Sequence, residues 1–224
     1  MKIIYDWKNE LTQGWRIALA DSNFAREFCL NLGGCLFVYF AIVEFLKGNR
    51  FREGAILKDP IQLLLQPHDF SALIFVGTYL AVILFLLHIV AYPRIMHLAF
   101  RSFTAVFLVR AACIYLVPLH PAIGFIPLND PFTEFIAHEN FIYNDLFFSG
   151  HMSDLTIFAL AAQSKRLRYL IVTCAFFVGL WLVWQRVHYS IDVIAAPFFA
   201  YVCHVQFLQK PLKKQRRLNL NLAS

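Results

Sequence analysis

Three ionisable residues in apolar surroundings have the types and spacing that covalent catalysis needs. His188 and Asp192 are four residues apart, so a helical turn across that segment would place their side chains on one face. The carboxylate would then hold one imidazole nitrogen and leave the other free to attack. With His151 as a third member, the set fits the arrangement of nucleophile, base and orienting group, with a histidine as the nucleophile. The same side chains would also suit a metal ion, although a His-x3-Asp spacing is not diagnostic of one.

The residues around this set suit a phosphate group. Ser149-Gly150-His151 precedes an apolar run and is predicted to enter a helix, whose N-terminal N–H groups would bind an anion. Gly150 would let the backbone approach the ligand closely. Arg110 could hold phosphate oxygens with paired hydrogen bonds, and Arg186 lies two residues before the candidate nucleophile. We therefore expect Arg110, Ser149, Gly150 and Arg186 to bind phosphate.

The composition predicts that these residues are held by an all-α membrane protein. Of the 224 residues, 59% are hydrophobic and 15% are charged, whereas a typical soluble domain has about 45–50% apolar and ~25% charged residues. These values exclude a disordered or collagen-like chain. We predict a bundle of six transmembrane helices, because a span needs ~20 mostly apolar residues. The predicted spans are 27–46, 71–92, 96–118, 152–163, 169–187 and 191–208, of which the fourth is short unless it begins near residue 149.

The two ends of the chain differ from this central part. Residues 1–26 carry Trp7, Leu11 and Trp15 at helical spacing among basic residues, which favours an amphipathic helix in the membrane interface. An ordinary solvated helix is the alternative. Residues 27–208 form the predicted catalytic domain, and 209–224 form a basic tail. The five cysteines show no paired spacing and are interpreted as small apolar core residues.

The distribution of charge predicts the orientation. With the N-terminus in the cytoplasm, cytoplasmic segments hold 14 of the 20 basic residues. The loop 119–150 then lies outside and has no Lys or Arg, although segment 47–70, also outside, has four. This places both termini in the cytoplasm and His151, His188 and Asp192 together at the non-cytoplasmic face. The basic tail would face anionic lipid rather than nucleic acid. The outer loop carries four acids without basic partners, which would favour a cationic head group: Asp130, Glu134, Glu139 and Asp145.

Two motifs resemble the sphingomyelin synthase family, a branch of the type 2 phosphatidic acid phosphatase superfamily. Asp145-x3-Ser149-Gly150-His151 is similar to the family's third motif, C-G-D-x3-S-G-H-[ST], and His188-Tyr189-Ser190-Ile191-Asp192 to its fourth, H-Y-[ST]-x-D. The segment Arg110–Tyr115, with Leu119 and Pro121, resembles the second motif, and residues 66–70 match the first weakly. The sequence departs from the third motif at Tyr143-Asn144 and at Met152.

The resemblance implies a lipid phosphotransferase with an outward-facing site. Such an enzyme moves phosphocholine or phosphoethanolamine from a membrane glycerophospholipid to ceramide, or a related diacylglycerol-like acceptor, and releases diacylglycerol. It implies that His188 attacks phosphorus, Asp192 orients it, and His151 protonates the departing oxygen. Asp145, Tyr115 and Tyr189 would support these three, and neither a metal nor a cofactor is implied.

Two other functions fit the same residues. In a lipid phosphate phosphatase or phospholipase C-like hydrolase, water would replace the lipid acceptor at the same histidines. The phosphatase branch of the superfamily is matched less well, because Phe103 and Ala111 stand where its first motif has Lys and Pro. A membrane protein that only binds lipid is the second alternative, and the intact set of His151, His188 and Asp192 argues against it.

Overall fold

The computed structural model describes residues 2–49, 52–128 and 145–213, with side chains from residue 11 onward, and it is helical. The helices are α1 Lys2–Ala20, α2 Ser22–Asn49, α3 Pro60–Leu63, α4 Ser71–Ile89, α5 Pro93–Leu116, α6 Gly150–Ala161, α7 Lys165–Trp184 and α8 Ser190–His204. A π-helical segment, Val205–Gln209, continues α8. The all-α fold class predicted from the sequence is confirmed over these residues.

Within the described residues, five helices are long and apolar enough to cross a membrane: α2, α4, α5, α7, and α8 with its extension to Lys213. The exception among the six predicted spans is α6, which has 12 residues. At 1.5 Å per residue it is about 18 Å long, whereas the hydrocarbon core of a bilayer is about 30 Å thick. The count of six spans therefore stays a prediction.

The short helix α6 lies at the centre of the bundle. It contacts α4, α5, α7 and α8. Leu155, Ile157 and Ala161 on it have no exposed surface. Because protein surrounds α6, it can be shorter than a lipid-facing span.

The N-terminal segment forms two helices that meet at Asp21. Its carboxylate accepts the N–H groups of Asn23 and Phe24, at 3.1 and 3.3 Å, and so caps α2. Helix α2 therefore begins five residues before the predicted first span. Helix α1 contacts α2 and α5, and Trp15 Nε1 donates to the carbonyl of Val90 at 2.8 Å. A position for α1 in the membrane interface stays a prediction.

The connections at one end of the bundle are joined to each other. Ala55 N donates to Pro118 O at 3.0 Å and His120 N to Ala55 O at 2.9 Å, which links the α2–α4 connection to the segment after α5. Trp184 Nε1 donates to Gln66 O at 2.9 Å, and this ties the end of α7 to the same layer. We call this layer, residues 52–70, 117–126 and 185–189, the outer cap, after the side of the membrane that the charge distribution predicts for it.

Candidate active site

The turn between α7 and α8 carries the candidate nucleophile. After α7 ends at Trp184, the N–H groups of Val187 and His188 fold back to the carbonyl of Leu182, at 3.0 and 3.3 Å. Arg186 in this turn has a φ of 64°, a conformation that non-glycine residues seldom adopt. The turn thus places His188 against the start of α8.

The structure brings the side chains of His188 and Asp192 together. Nδ1 of His188 lies 3.5 Å from Oδ2 of Asp192, and the two side chains are 5% and 0% exposed. That separation is longer than a hydrogen bond, and catalytic contacts are often long when no substrate is bound. Because Nδ1 faces the carboxylate, Nε2 lies on the opposite side of the ring.

The local structure that makes this contact differs from the expected helical turn. Helix α8 begins at Ser190, so His188 lies outside it and the expectation of a shared helix face is wrong. Asp192 instead occupies the third position of α8, and its Oδ2 accepts Tyr189 N–H at 3.0 Å. The capping interaction holds the carboxylate at the helix entrance, and His188 reaches it from the turn.

The N-terminus of α6 meets the same place. Ser149 is fully buried and caps α6, with Oγ 3.5 Å from Met152 N. Its own N–H donates to the backbone carbonyl of Asp192 at 3.2 Å. The first turns of α6 and α8 are therefore joined.

Arg110 is fixed against the start of α6. Its Nε donates to Phe148 O at 2.7 Å, and one terminal nitrogen pairs with Asp145. A Cβ added to Gly150 would lie 3.2 Å from the guanidinium carbon, so only glycine leaves ordinary contact room there. The close approach expected of Gly150 is therefore an approach to Arg110, and it puts a guanidinium beside the helix N-terminus.

Asp145 corrects one expectation about the outer loop. The sequence suggested four acids without basic partners, but Asp145 pairs with Arg110, which the fold brings to it from α5. Asp130, Glu134 and Glu139 lie outside the described residues, as do Tyr143 and Asn144. The predicted supporting role of Asp145 is compatible with this contact, because the carboxylate orients the guanidinium.

His151 follows Gly150 and is the second residue of α6, half-buried in the first turn. The structure places it on the helix whose cap, Ser149, is bonded to Asp192. Its predicted role as an acid and base stays a prediction.

Arg186 and Tyr189 bind backbone groups, whereas Tyr115 lies against the side chain of Arg52. One terminal nitrogen of Arg186 donates to Gln62 O and Leu65 O, both at 3.1 Å, and the other to Ile123 O. These contacts join segments of the outer cap, and they direct several donors of Arg186 to backbone carbonyls rather than to a ligand.

Tyr189 is buried, and its hydroxyl donates to His120 O at 2.8 Å and accepts Leu57 N–H at 3.2 Å. Tyr115 is 58% exposed, and the guanidinium of Arg52 lies 4.7 Å from its ring centre.

Two residues that were not predicted from the sequence hold the turn that carries His188, the candidate nucleophile. Gln62 Nε2 donates to His188 O at 2.9 Å. Asp59 accepts Ser190 N–H at 2.6 Å and the Ser190 hydroxyl at 3.0 Å. The one available signal was Asp59-Pro60, because an N-cap residue before a proline marks a helix start, and Asp59 does cap α3.

The charge on Asp59 is stabilised by these contacts. Burial alone would raise the pKa of this carboxyl, but the hydrogen bonds from Ser190, Gln62 and Ile61 outweigh it, so the pKa lies below its ordinary value. Asp59 is therefore ionised at neutral pH and puts a negative charge at the N-terminus of α8, where the helix dipole favours it.

Among the residues with described side chains, no group of three or more His, Cys, Asp or Glu is arranged to hold a metal ion.

Residues 144–209 match the family model described as PAP2 superfamily C-terminal. The match covers less than half of the chain, and it contains the α6 N-terminus, His151, His188 and Asp192. It supports membership of the type 2 phosphatidic acid phosphatase superfamily, and with it lipid head-group chemistry of the phosphatase or phosphotransferase kind. A search of curated proteins found no match. The sphingomyelin synthase branch is not tested by these comparisons.

Proposed function

We propose that this protein is a lipid head-group phosphotransferase of the sphingomyelin synthase type. It would move phosphocholine or phosphoethanolamine from a glycerophospholipid to ceramide or a related lipid alcohol. The observation that carries the proposal is the buried His188–Asp192 pair beside the N-terminus of α6, in a chain whose described part has five candidate membrane spans. The superfamily match supports the same class of chemistry.

In the first half-reaction, Nε2 of His188 attacks phosphorus. A nitrogen–phosphorus bond forms, and the bond between phosphorus and the glycerol oxygen breaks. The departing oxygen takes a proton from protonated His151, so diacylglycerol leaves as a neutral alcohol. Asp192 accepts the Nδ1–H of His188 and stabilises the positive charge that the ring acquires.

In the second half-reaction, the hydroxyl of the acceptor lipid attacks phosphorus and gives its proton to His151. The nitrogen–phosphorus bond breaks, and His188 returns to its neutral form. His151 is then protonated again, ready for the next donor. No proton is gained or lost over the full cycle.

Arg110 and the first turn of α6 are the proposed phosphate ligands. Arg110 is 7% exposed, and its guanidinium lies against Gly150, where the N–H groups of α6 begin. A guanidinium and a helix N-terminus together would stabilise the negative charge that the phosphoryl oxygens carry in the transition state. Arg186 is the weaker candidate, because its donors are directed to carbonyl groups of the outer cap.

The donor preference is proposed from the remaining acids of the outer loop. Asp130, Glu134 and Glu139 have no Lys or Arg in the loop 119–150, so a cationic head group would be attracted to this side. The attraction would weaken with salt over a Debye length of ~10 Å at 0.1 M. We expect choline and ethanolamine lipids to be better donors than phosphatidylglycerol or phosphatidylinositol.

A product analysis tests the proposal. The purified protein is incubated with fluorescent ceramide or fluorescent diacylglycerol and one of these four donors, and products are separated by chromatography. The expected product is a fluorescent lipid that carries the donor's head group. Water-soluble phosphate or phosphocholine, with the fluorescent alcohol unchanged, would instead identify a hydrolase, and equal rates with anionic donors would contradict the charge argument.

A further inference from the structure

A shallow apolar groove of about 260 Å³ runs between α7 and α8 on the surface of the bundle. Phe176 and Leu180 of α7 form one wall, Val193 and Ile194 of α8 form the other, and Met152 of α6 lies beneath. Both walls belong to candidate membrane spans, and Phe176 and Ile194 are 67% and 66% exposed. In a membrane, the groove would therefore be open to the acyl chains of the bilayer.

Gly179 allows the helices to pack closely beneath the groove. A Cβ at this position would lie 3.1 Å from Met152 Sδ and 3.1 Å from Val193 Cγ1. The missing side chain lets α6 and α8 approach α7 closely at this level. The larger residues Phe176 and Leu180 of α7 line the groove nearby. The groove is thus a consequence of close helix packing at one small residue.

Part of the groove lies beside the candidate active site. Ser190 and Ile61 are among its lining residues, and both donate backbone hydrogen bonds to Asp59, at 2.6 and 2.9 Å. Ser190 is two residues from both His188 and Asp192. A chain lying in the groove would bring its head group to the level of the His188–Asp192 pair.

We propose that this groove seats one acyl chain of the lipid substrate and thereby positions the scissile head group. The inference rests on the proposed head-group chemistry and adds where the substrate lies. The groove is smaller than the cavities of about 300–1,000 Å³ that enclose whole drug-sized ligands, so it would hold part of a single chain and leave the rest in the bilayer. Lipid tails are as apolar as the walls, so the groove would contribute orientation more than affinity.

A matched pair of variants tests the role in turnover. Ile194→Trp fills the groove, and Ile83→Trp makes the same change at a residue of α4 that is 55% exposed and does not line the groove. Each is assayed with dioleoyl and with dihexanoyl phosphatidylcholine as donor. We expect Ile194→Trp to lower kcat for the long-chain donor by about 10- to 100-fold, as misplacement of a reacting group does, and to change the short-chain kcat much less. The same ratio of the two rates in wild type and Ile194→Trp would overturn the proposal.

A second measurement does not depend on activity. Wild-type protein in phosphatidylcholine vesicles is illuminated with a phosphatidylcholine that carries a diazirine in one acyl chain, and labelled residues are identified by mass spectrometry. We expect Phe176 and Ile194 to be labelled more than Val76 and Phe37, which are similarly exposed, at 64% and 73%. Equal labelling of all four would overturn the groove as a lipid site. Selective labelling without any transfer or hydrolysis would leave the groove standing and reject the proposed function.

Discussion

The carboxylate of Asp192 has one role in the fold and another in the proposed chemistry. Its Oδ2 caps α8 through Tyr189 N–H and also faces His188 Nδ1, while its Oδ1 is buried without a hydrogen-bond partner in the part of the chain that the structure describes. An amide oxygen could keep the cap, but an amide cannot stabilise a charged imidazole ring. The two roles can therefore be separated by one substitution.

We predict that Asp192→Asn folds and loses most of its activity. The corresponding change in the serine protease triad, a case documented for that enzyme class, costs ~10⁴ in rate, and we expect a loss of at least about 10²-fold here. Activity is measured by head-group transfer, and folding by thermal unfolding in detergent. Full activity in a folded Asp192→Asn protein would rule out the orienting role.

The two histidines are predicted to respond differently to the leaving group. A phosphodiester with a nitrophenol leaving group needs little protonation, so it should partly rescue His151→Ala, which removes the proposed acid. It should not rescue His188→Ala, which removes the nucleophile. Release of nitrophenol by both variants, compared with diacylglycerol release from the natural donor, is the measurement. Equal losses on both substrates would show that the division of roles is wrong.

At the level of residues, the sequence predicted the contact but not its geometry. His188 and Asp192 lie close together, but they do not share a helix face, because α8 begins at Ser190. His188 reaches the carboxylate from the preceding turn. Arg110 was predicted as a phosphate ligand, yet its pairing with Asp145 depends on a separation of 35 residues in the chain. No local pattern encodes such a contact, and the support from Asp59 and Gln62 was missed for the same reason.

Among the elements, the entrance of α6 depends most on a single small residue. We predict that Gly150→Ala lowers kcat by about 10-fold or more, because its Cβ would displace the guanidinium of Arg110 from the helix N-terminus, and small displacements of positioning groups have effects of this order. Gly34→Ala is the matched control, since nothing lies within 4 Å of a Cβ there. Both variants are compared in the transfer assay. An unchanged kcat for Gly150→Ala would show that activity does not depend on the position of the Arg110 guanidinium beside the helix N-terminus.

Helix α3 is predicted to make the stability of the outer cap depend on pH. Asp59 caps α3 and accepts two hydrogen bonds from Ser190, so Asp59→Asn should destabilise the fold by about 0.5–2 kcal/mol at neutral pH, as loss of a cap does. The pKa of Asp59 is lowered in the folded protein. Its charge therefore stabilises the fold above the ordinary pKa of about 3.9, and this contribution is lost as the pH falls through the lower, folded-state pKa.

The measurement is thermal unfolding of wild type and Asp59→Asn in detergent from pH 7 to pH 3. The difference between the two should be largest at neutral pH and should shrink below about pH 4. A difference that stays constant across this range would show that the carboxylate charge does not contribute.

The element lengths show where sequence patterns were informative. Long apolar runs predicted α2, α4, α5, α7 and α8, because a helix facing lipid must be apolar over its whole length. The pattern said less about α6, since a short apolar helix can be either a poor span or a buried core element. Helix α3 has four residues and too short a pattern to be recognised.

For the whole molecule, the orientation in the membrane is predicted from charge alone. In a background without native cysteines, Ile123→Cys should react with an impermeant thiol reagent added to the non-cytoplasmic side of intact membranes, because it is 77% exposed in the outer cap. Lys165→Cys, at the opposite end of α7 and also exposed, should react only after the membrane is opened. The reverse result would place the candidate site on the cytoplasmic face.

The sequence predicted that the candidate site lies at one end of the bundle, because an alternating topology brings the starts of α6 and α8 and the end of α7 to the same level. It could not predict the layer that covers them. The outer cap is built from contacts between segments far apart in the chain, such as Gln62 with His188 and Tyr189 with His120, and these follow from the packed structure.

The outer cap also has a consequence for how the protein is made. Ribosomes deliver α2 and α3 to the membrane long before residues 185–192, yet Asp59, Gln62 and Leu65 hold that late segment in place. The site therefore cannot be completed until α8 has been inserted, and a nascent chain stopped after α7 carries His151 without an assembled partner. The His188–Asp192 pair, with the support of Asp59 and Gln62, is thus assembled only in the finished bundle.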